Sequence, residues 1–258
     1  MRTIVIGNWK GGVGKTTVAT NLACAFANNF PELHVLFIDC DKQGNSSARF
    51  CADFSKPNLT NILVDGVAAD EAIQQTQYCN IDLIAADPSL MAANFSILKE
   101  EERRQDNILE LALEPVKDKY DLCFIDTPPD FNISVLNCLN ICDDLIGITT
   151  LTSDSVEGLR QLRQNVIEMY NDVLGRDLQL RGVLVNMYRP NEESSNYIDE
   201  LKKDGFIVFD SYLYSARTTA EQLQLATNKH MSIFEVAPRC AFARCINNFL
   251  IELIGGDK

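Results

Sequence analysis

The sequence predicts an α/β protein: a three-layer, mostly parallel twisted sheet with helices on both faces. Three observations predict it. Short apolar runs alternate with amphipathic stretches from one end of the 258 residues to the other, the pattern of strand and helix in alternation. The runs are apolar at successive positions, as strands covered on both faces require. A glycine-rich turn, "NWKGGVGK" at 8–15, separates the first run from the first helical pattern, and ligands in such sheets sit at the carboxyl ends of strands.

Taken in order, the first strand is expected at 3–7, where Thr-Ile-Val-Ile-Gly is apolar and β-branched, and a helix follows over 16–28. The run at 34–39 is the second strand, followed by a polar connection at 41–60 read as a mobile loop. Strands at 81–85 and 122–126 bracket a helical pattern at 107–117, and Pro128-Pro129 stop the second of them. A strand at 144–149 leads into a helix over 153–170, and strands at 180–186 and 206–210 flank a helix over 195–203. Residues 189–196 are read as a second mobile loop, and the chain closes on a helix over 239–254. Length suits one large domain over 1–258.

Composition narrows the class. No apolar run reaches the roughly 18 residues of a membrane span, and a strand pattern from residue 3 makes a signal peptide unexpected. Nine cysteines are odd in number and lack any C-x-x-C pair, and there are only two histidines; buried free thiols are expected, not a zinc site or a disulfide framework. The net charge of −13 argues against a nucleic-acid partner for the whole surface. Residues 1–175 hold 13 Lys/Arg against 25 Asp/Glu, and residues 176–258 hold 10 against 11. A local basic patch is therefore compatible only with the last third.

The turn carries the strongest chemistry. The general phosphate-loop pattern is G-x-x-x-x-G-K-[ST]; Gly14, Lys15 and Thr16 satisfy its end, while Trp9 occupies its first glycine position. Gly11, Gly12 and Gly14 let the backbone, Val13 included, turn its N–H groups toward phosphate oxygens, and the helix N-terminus adds positive potential. Lys15 is expected on the β- and γ-phosphates, the Thr16 hydroxyl on Mg²⁺ and Thr17 near the α-phosphate. Lys10, five positions before Lys15, has no place in the general pattern. Farther along, Asp39 and Asp41 lie at i and i+2 of an extended segment and would point together at the nucleotide.

The string "KGGVGKTT" (10–17) resembles the deviant Walker A motif of the ParA/MinD family of dimerising P-loop ATPases. In that family the early lysine crosses an ATP-sandwich dimer to the partner's phosphates, so the resemblance implies that Lys10 couples nucleotide to dimerisation. "FIDCDKQGNSS" (37–47) is similar to the family's D-x-D-P-Q-G-N motif, with Lys42 at the proline position. It implies that Asp41 positions the attacking water and that Asp39 supports the Mg²⁺ shell. "YDLCFIDTPPDFN" (120–132) resembles Walker B, with Asp126 holding Mg²⁺ through a water. "AADPSLMAAN" (85–94) resembles a segment near the dimer interface, "TTLTSDSVEGLRQL" (149–162) the strand-to-helix segment after Walker B, and "GVLVNMYRP" (182–190) the strand end flanking adenine. There Asn186 would contact the base and Pro190 cover it.

The resemblance implies a slow, ATP-driven switch for chromosome or plasmid partition. An ATP-bound homodimer would bind DNA nonspecifically, and a ParB-like centromere-binding protein would stimulate hydrolysis and release it. The site would be cytoplasmic and nucleoid-associated. Candidate DNA contacts are Arg217, Lys229, Arg239 and Arg244, with Lys202 and Lys203 behind them. A helix-turn-helix extension before the ATPase domain is not expected. The alternative is a MinD-like membrane-cycling switch. Phe242, Cys245, Phe249, Leu250 and Leu253 form an apolar stripe, but "FLIELIGGDK" has Glu252 and Asp257 with only Lys258 as cation, so a helix packed on the sheet is the preferred reading. An electron donor like the nitrogenase iron protein, or an ATP-dependent ligase, is the third option. Cys138 and Cys142 read as a helix's buried face, not as cluster ligands.

Overall fold

The computed structural model describes residues 1–99 and 104–255. In chain order the elements are β1 (Arg2–Gly7), α1 (Lys15–Asn29), β2 (Val35–Asp39), α2 (Asn45–Arg49), α3 (Ala69–Ala72), β3 (Ile73–Gln75), β4 (Ile81–Ile84), α4 (Ser89–Leu98), α5 (Ile108–Leu113), β5 (Leu122–Asp126) and α6 (Ile133–Asn140). Then follow β6 (Asp144–Thr149), α7 (Ser153–Gln161), α8 (Met169–Leu174), β7 (Leu180–Tyr188), α9 (Glu192–Lys203), β8 (Val208–Tyr214), α10 (Arg217–Asn228), α11 (Ile233–Val236) and α12 (Ala241–Gly255). The strands are ordered β3-β4-β2-β5-β1-β6-β7-β8. The expected mostly parallel sheet is present, and the chain divides into two compact units.

The first unit comprises Met1–Val5 and Ala27–Asp143. Its centre is β2, paired in parallel with β4 and β5. Both β2 and β5 are buried at every position, which is why their sequences are unbroken apolar runs up to the terminal aspartates. The register sets Asp39 opposite Asp126. At the edge, β3 pairs antiparallel with β4. It carries no apolar run; its buried Gln74 is held by the backbone of Asp53, accepting from its N–H at 2.9 Å and donating to its carbonyl at 3.2 Å. The sequence reading also missed α4, because that helix is apolar on more than one face. It buries Leu90, Ala93 and Ile97 and exposes Met91, Phe95 and Leu98. The loop expected at 41–60 is corrected: residues 45–49 form α2, whose Phe50 end packs on Phe37 with ring centroids 4.8 Å apart.

The second unit comprises Ile6–Phe26 and Asp144–Lys258. Strands β6, β7 and β8 are parallel. The helix expected at 153–170 begins as α7, capped by Thr152 and Ser155, but passes through a π-helical stretch at Leu162–Glu168 before α8. The loop expected at 189–196 is shorter, since Asn191 accepts from Ser194 N at 2.7 Å and starts α9. The strand expected at 206–210 is displaced to β8. Phe206 instead joins the core beside Leu201, with the Arg163 guanidinium 4.1 Å from its ring centroid. The polar Asp210 and Ser211 stay in the strand because the Glu252 carboxylate accepts from their N–H groups at 2.7 and 2.9 Å. That side chain satisfies edge donors that a sequence pattern does not reveal.

Helix α12 buries Phe242, Ile246, Phe249, Leu250 and Leu253 within this unit. Phe249 meets Phe209 of β8 at 5.0 Å, edge to face, so the apolar stripe is consumed by packing. Asp257 and Lys258 lie outside the described residues. Among the described residues no helix is long and apolar enough to cross a membrane. None of the nine cysteines is in a disulfide, but only Cys24, Cys40, Cys123 and Cys138 are buried; Cys51 and Cys79 are exposed and Cys142, Cys240 and Cys245 half-buried. The expectation of nine buried thiols is corrected accordingly, and Cys142 falls just beyond α6.

Candidate functional site

In the second unit, β1 ends at Gly7 and the chain makes a loop over 8–14 before α1 opens at Lys15. Gly12 and Gly14 adopt φ of 79° and 95°, conformations that cost an L side chain energy. Gly14 is also fixed by contact, because a Cβ there would collide with the Asn186 amide. The loop folds over Lys15, which is 7% exposed. Its ammonium donates to the carbonyls of Asn8 at 3.1 Å and Lys10 at 3.2 Å. A buried cation ringed by backbone dipoles at a helix N-terminus suits a phosphate. Thr16 and Thr17, in the first turn of α1, are half-buried beside it.

The two lysines face different surroundings. Lys10 is exposed, and its ammonium pairs with the Asp154 carboxylate of α7 at 2.8 Å. Hydrogen bonding to Lys10, with its charge, lowers the Asp154 pKa. Beneath it, Asn8 is 2% exposed and holds the loop on three sides. Its Nδ2 donates to the carbonyls of Ile148 at 2.6 Å and Ser155 at 3.1 Å, and its Oδ1 accepts from Lys10 N at 2.7 Å. Sequence reasoning missed Asn8 and Asp154. A polar residue between a buried strand and a glycine loop is the signal for the first; the second is visible only in three dimensions.

Asn186, at the end of β7, donates to Val13 O at 2.8 Å and accepts from Met187 N at 2.9 Å. It lines a pocket of about 130 Å³ with Gly14, Thr17, Tyr214, Ala216 and Leu223. Its partially apolar wall directly beside the phosphate loop suits a planar base. Pro190 is exposed and is not among the residues lining this pocket.

The first unit carries two buried aspartates at adjacent strand ends. Asp39 and Asp126 are fully buried register neighbours. Asp39 Oδ2 accepts from Ser47 N at 2.8 Å and Ser47 Oγ at 2.7 Å, and Oδ1 accepts from Asp41 N at 3.0 Å. Asp126 Oδ2 accepts from Ser46 Oγ at 2.7 Å. Burial, then repulsion from Asp126, pushes the Asp39 pKa up to about 7 despite those hydrogen bonds. The i, i+2 reasoning for Asp41 needs correction, because β2 stops at Asp39. Asp41 instead begins a turn. Its Oδ1 accepts from Gln43 N at 3.0 Å and its carbonyl from Gly44 N at 2.8 Å.

Two buried carboxyl groups side by side, both oxygen donors, fit a small hard cation. Among the described residues there is no cluster of three or more His, Cys, Asp or Glu able to cage a metal. Mg²⁺ typically takes only one or two carboxylates and completes its shell with waters and phosphate, so this donor set fits it.

Of the four candidate DNA contacts, the structure brings two together: Arg244 Nη1 donates to Arg239 O at 2.8 Å at the start of α12. Arg217 is paired with Glu221 at 3.0 Å along α10, and Lys229 is exposed just past that helix.

Comparison with known proteins gives the family. The AAA_31 family, an AAA domain, matches residues 1–180. The chain is 32% identical over 205 residues to the sporulation initiation inhibitor protein Soj of Bacillus subtilis, covering 78% of this chain and 79% of that one. It is 32% identical over 191 residues to the chromosome partitioning protein ParA of Myxococcus xanthus, covering 72% of this chain and 65% of the relative, slightly under two thirds of its length. Among solved structures, apo McdA from Cyanothece superimposes with a TM-score of 0.84 at 23% identity, over 99% of this chain and 100% of that one; McdA is also known as an ATP complex. At that identity the likeness shows the fold. The phosphate loop with its early lysine, the two aspartate-ended strands and these relatives agree: the chain belongs to the ParA/Soj family of AAA-domain P-loop ATPases.

Proposed function

We propose that the protein is a DNA-partition switch that binds Mg–ATP, dimerises around it, holds DNA nonspecifically as the dimer and lets go on hydrolysis. Gly11, Gly12, Val13, Gly14, Lys15, Thr16 and Thr17 bind the phosphates, and Asn186 borders the base. The magnesium groups are the Asp39 and Asp126 carboxylates and, by motif, the Thr16 hydroxyl. Bound Mg²⁺ offsets the negative charge of the phosphates. Asp41 orients the attacking water, and turnover without a partner is slow. Names of relatives support the cargo: chromosome partitioning for Myxococcus xanthus ParA. ATP is the nucleotide of the McdA complex.

The observation that carries this reading is the division of labour between the lysines. Lys15 is buried inside its own loop, whereas the Lys10 ammonium is exposed and pairs with a surface carboxylate. A surface ion pair of this kind is weak and screened by solvent, so Lys10 is readily released toward another molecule's phosphates. We assign it to the partner subunit's triphosphate, where it reduces repulsion between two facing nucleotides. The exposed Arg239 and Arg244 support a DNA surface, and a ParB-like partner would stimulate hydrolysis in the cytoplasm at the nucleoid. Because α12 spends its apolar face on β8, a lipid-facing role for that helix is disfavoured.

Light scattering with a non-hydrolysable ATP analogue tests the reading. The wild type should double in mass, and Lys10→Ala should bind nucleotide yet remain monomeric. A variant that dimerises normally removes Lys10 from the switch. DNA binding should require ATP rather than ADP and weaken steeply with salt; nucleotide-independent binding would overturn the partition cycle.

A further inference from the structure

The turn that carries Asp41 has an unusual means of being held. Asp41 O accepts from Gly44 N at 2.8 Å, so residues 41–44 form a β-turn with Lys42 at its second position. Gly44 has φ 62°, and a Cβ there would lie 2.7 Å from Ala86 O, so the turn's exit is fixed by sterics. Its entry is not. The second position of such turns favours proline, whose ring presets φ; lysine offers no such restraint.

Lys42 is instead restrained through its end. Its ammonium pairs with Asp130 Oδ2 at 3.2 Å, both side chains being partly exposed (38% and 45%). Asp130 lies four residues after Asp126, and the segment carrying it is well anchored. Asn132 caps α6 by accepting from Val135 N at 3.0 Å and Ser134 Oγ at 2.5 Å. Asn94 of α4 accepts from Ser134 N at 2.9 Å. Asn132 Nδ2 reaches Asp130 Oδ1 at 3.5 Å, at the limit of a hydrogen bond. One end of the ion pair is thus fixed, and the other is a side chain whose own backbone φ no ring restrains.

We propose that Lys42 and Asp130 are positioning residues: their ion pair tethers the Asp41 turn to the segment after β5 and replaces the backbone stiffness that proline would supply at residue 42. The tether stands on the geometry alone; its consequence for turnover rests on the ATPase reading above.

Two readouts separate these. Hydrogen exchange of the Gly44 amide reports the turn directly and needs no nucleotide. In Lys42→Ala and in Asp130→Ala it should quicken about two- to fivefold, the range open to a partly exposed pair, and the double variant should exchange no faster than either single. Unstimulated Mg–ATP turnover should fall by a similar factor in kcat, with KM and Tm nearly unchanged. Lys42→Pro should restore kcat and make Asp130→Ala silent, and the reversed pair Lys42→Asp with Asp130→Lys should recover both readouts if proline is not accommodated. Additive effects of the two alanine variants, or an unchanged Gly44 exchange rate, would overturn the tether. Quickened, non-additive exchange in the variants of a protein whose wild type hydrolyses no ATP would uphold the tether and overturn the ATPase reading.

Discussion

The Asp39–Asp126 pair makes apo stability depend on pH in a direction opposite to that of most carboxylates. Asp39 titrates at about 7 when folded, against an ordinary 3.8. Below 3.8 both folded and unfolded chains carry the proton, and its full contribution to stability is present. Between 3.8 and about 7 the folded chain keeps a proton that the unfolded chain has released, so stability falls as pH rises. Above about 7 the contribution is gone and the native state holds two close, buried charges. The gap of about three pH units corresponds to on the order of 4 kcal/mol. For a chain of this size that is roughly 10 °C in Tm.

Scanning calorimetry in chelator from pH 5 to pH 8 reads the upper two units of that gap, on the order of 3 kcal/mol, with Asp39→Asn as the reference. The wild type should lose stability over this range relative to the variant, whatever their absolute offset. Asp126→Asn removes the second cause and leaves desolvation, so its slope should be intermediate. Mg²⁺ takes over the proton's role of neutralising the pair, so the ion should raise wild-type Tm more at pH 8 than at pH 5.5. Parallel curves for wild type and Asp39→Asn would refute the raised Asp39 pKa.

Other outcomes follow from single contacts. Asp41→Ala should bind ATP and accumulate as the dimer with turnover lost, and undiminished hydrolysis would show that another group orients the water. Gly158→Ala is a test of sign: helix propensity alone would stabilise α7 by up to about 1 kcal/mol. The new Cβ, however, meets the Asn8 side chain and lies 3.0 Å from both Lys10 Cβ and Lys10 N. Tm should therefore fall, by an overpacking cost of about 1–3 kcal/mol, and a higher Tm would show that the Lys10 loop yields freely.

Much of this molecule is written locally. Strands β2 and β5 are buried on both faces, so every position is apolar until an aspartate ends each run, and the phosphate loop is punctuated by glycines with positive φ. Such signals survive in a one-dimensional string because each residue's own backbone or burial demands it. The misreadings share the opposite property. Gln74 holds a strand in place by bonding a residue 21 positions away, and Glu252 supplies acceptors to β8 from 41 and 42 positions away. Helix α4 looks featureless because its exposed face is as apolar as its buried one.

Lys10 shows the boundary most clearly. Its spacing from Lys15 marks it as an extra cation, but the string cannot say what restrains it. The answer lies in three residues of two segments, the loop itself and α7: Asn8 binds its N–H, Gly158 leaves room for its backbone, and Asp154 takes its ammonium. Asn8 and Gly158 fix the Lys10 backbone by a partly buried hydrogen bond and close packing, whereas Asp154 holds the charge by a weak surface pair. A residue whose backbone is rigidly seated and whose charge is loosely held can exchange one anion for another without rearranging the loop. That is the physical requirement for a switch lysine, and it predicts that Asp154→Asn should tighten the ATP-dependent dimer by at most about fivefold. A weakened dimer would mean that Asp154 aims Lys10 at the partner instead of competing for it.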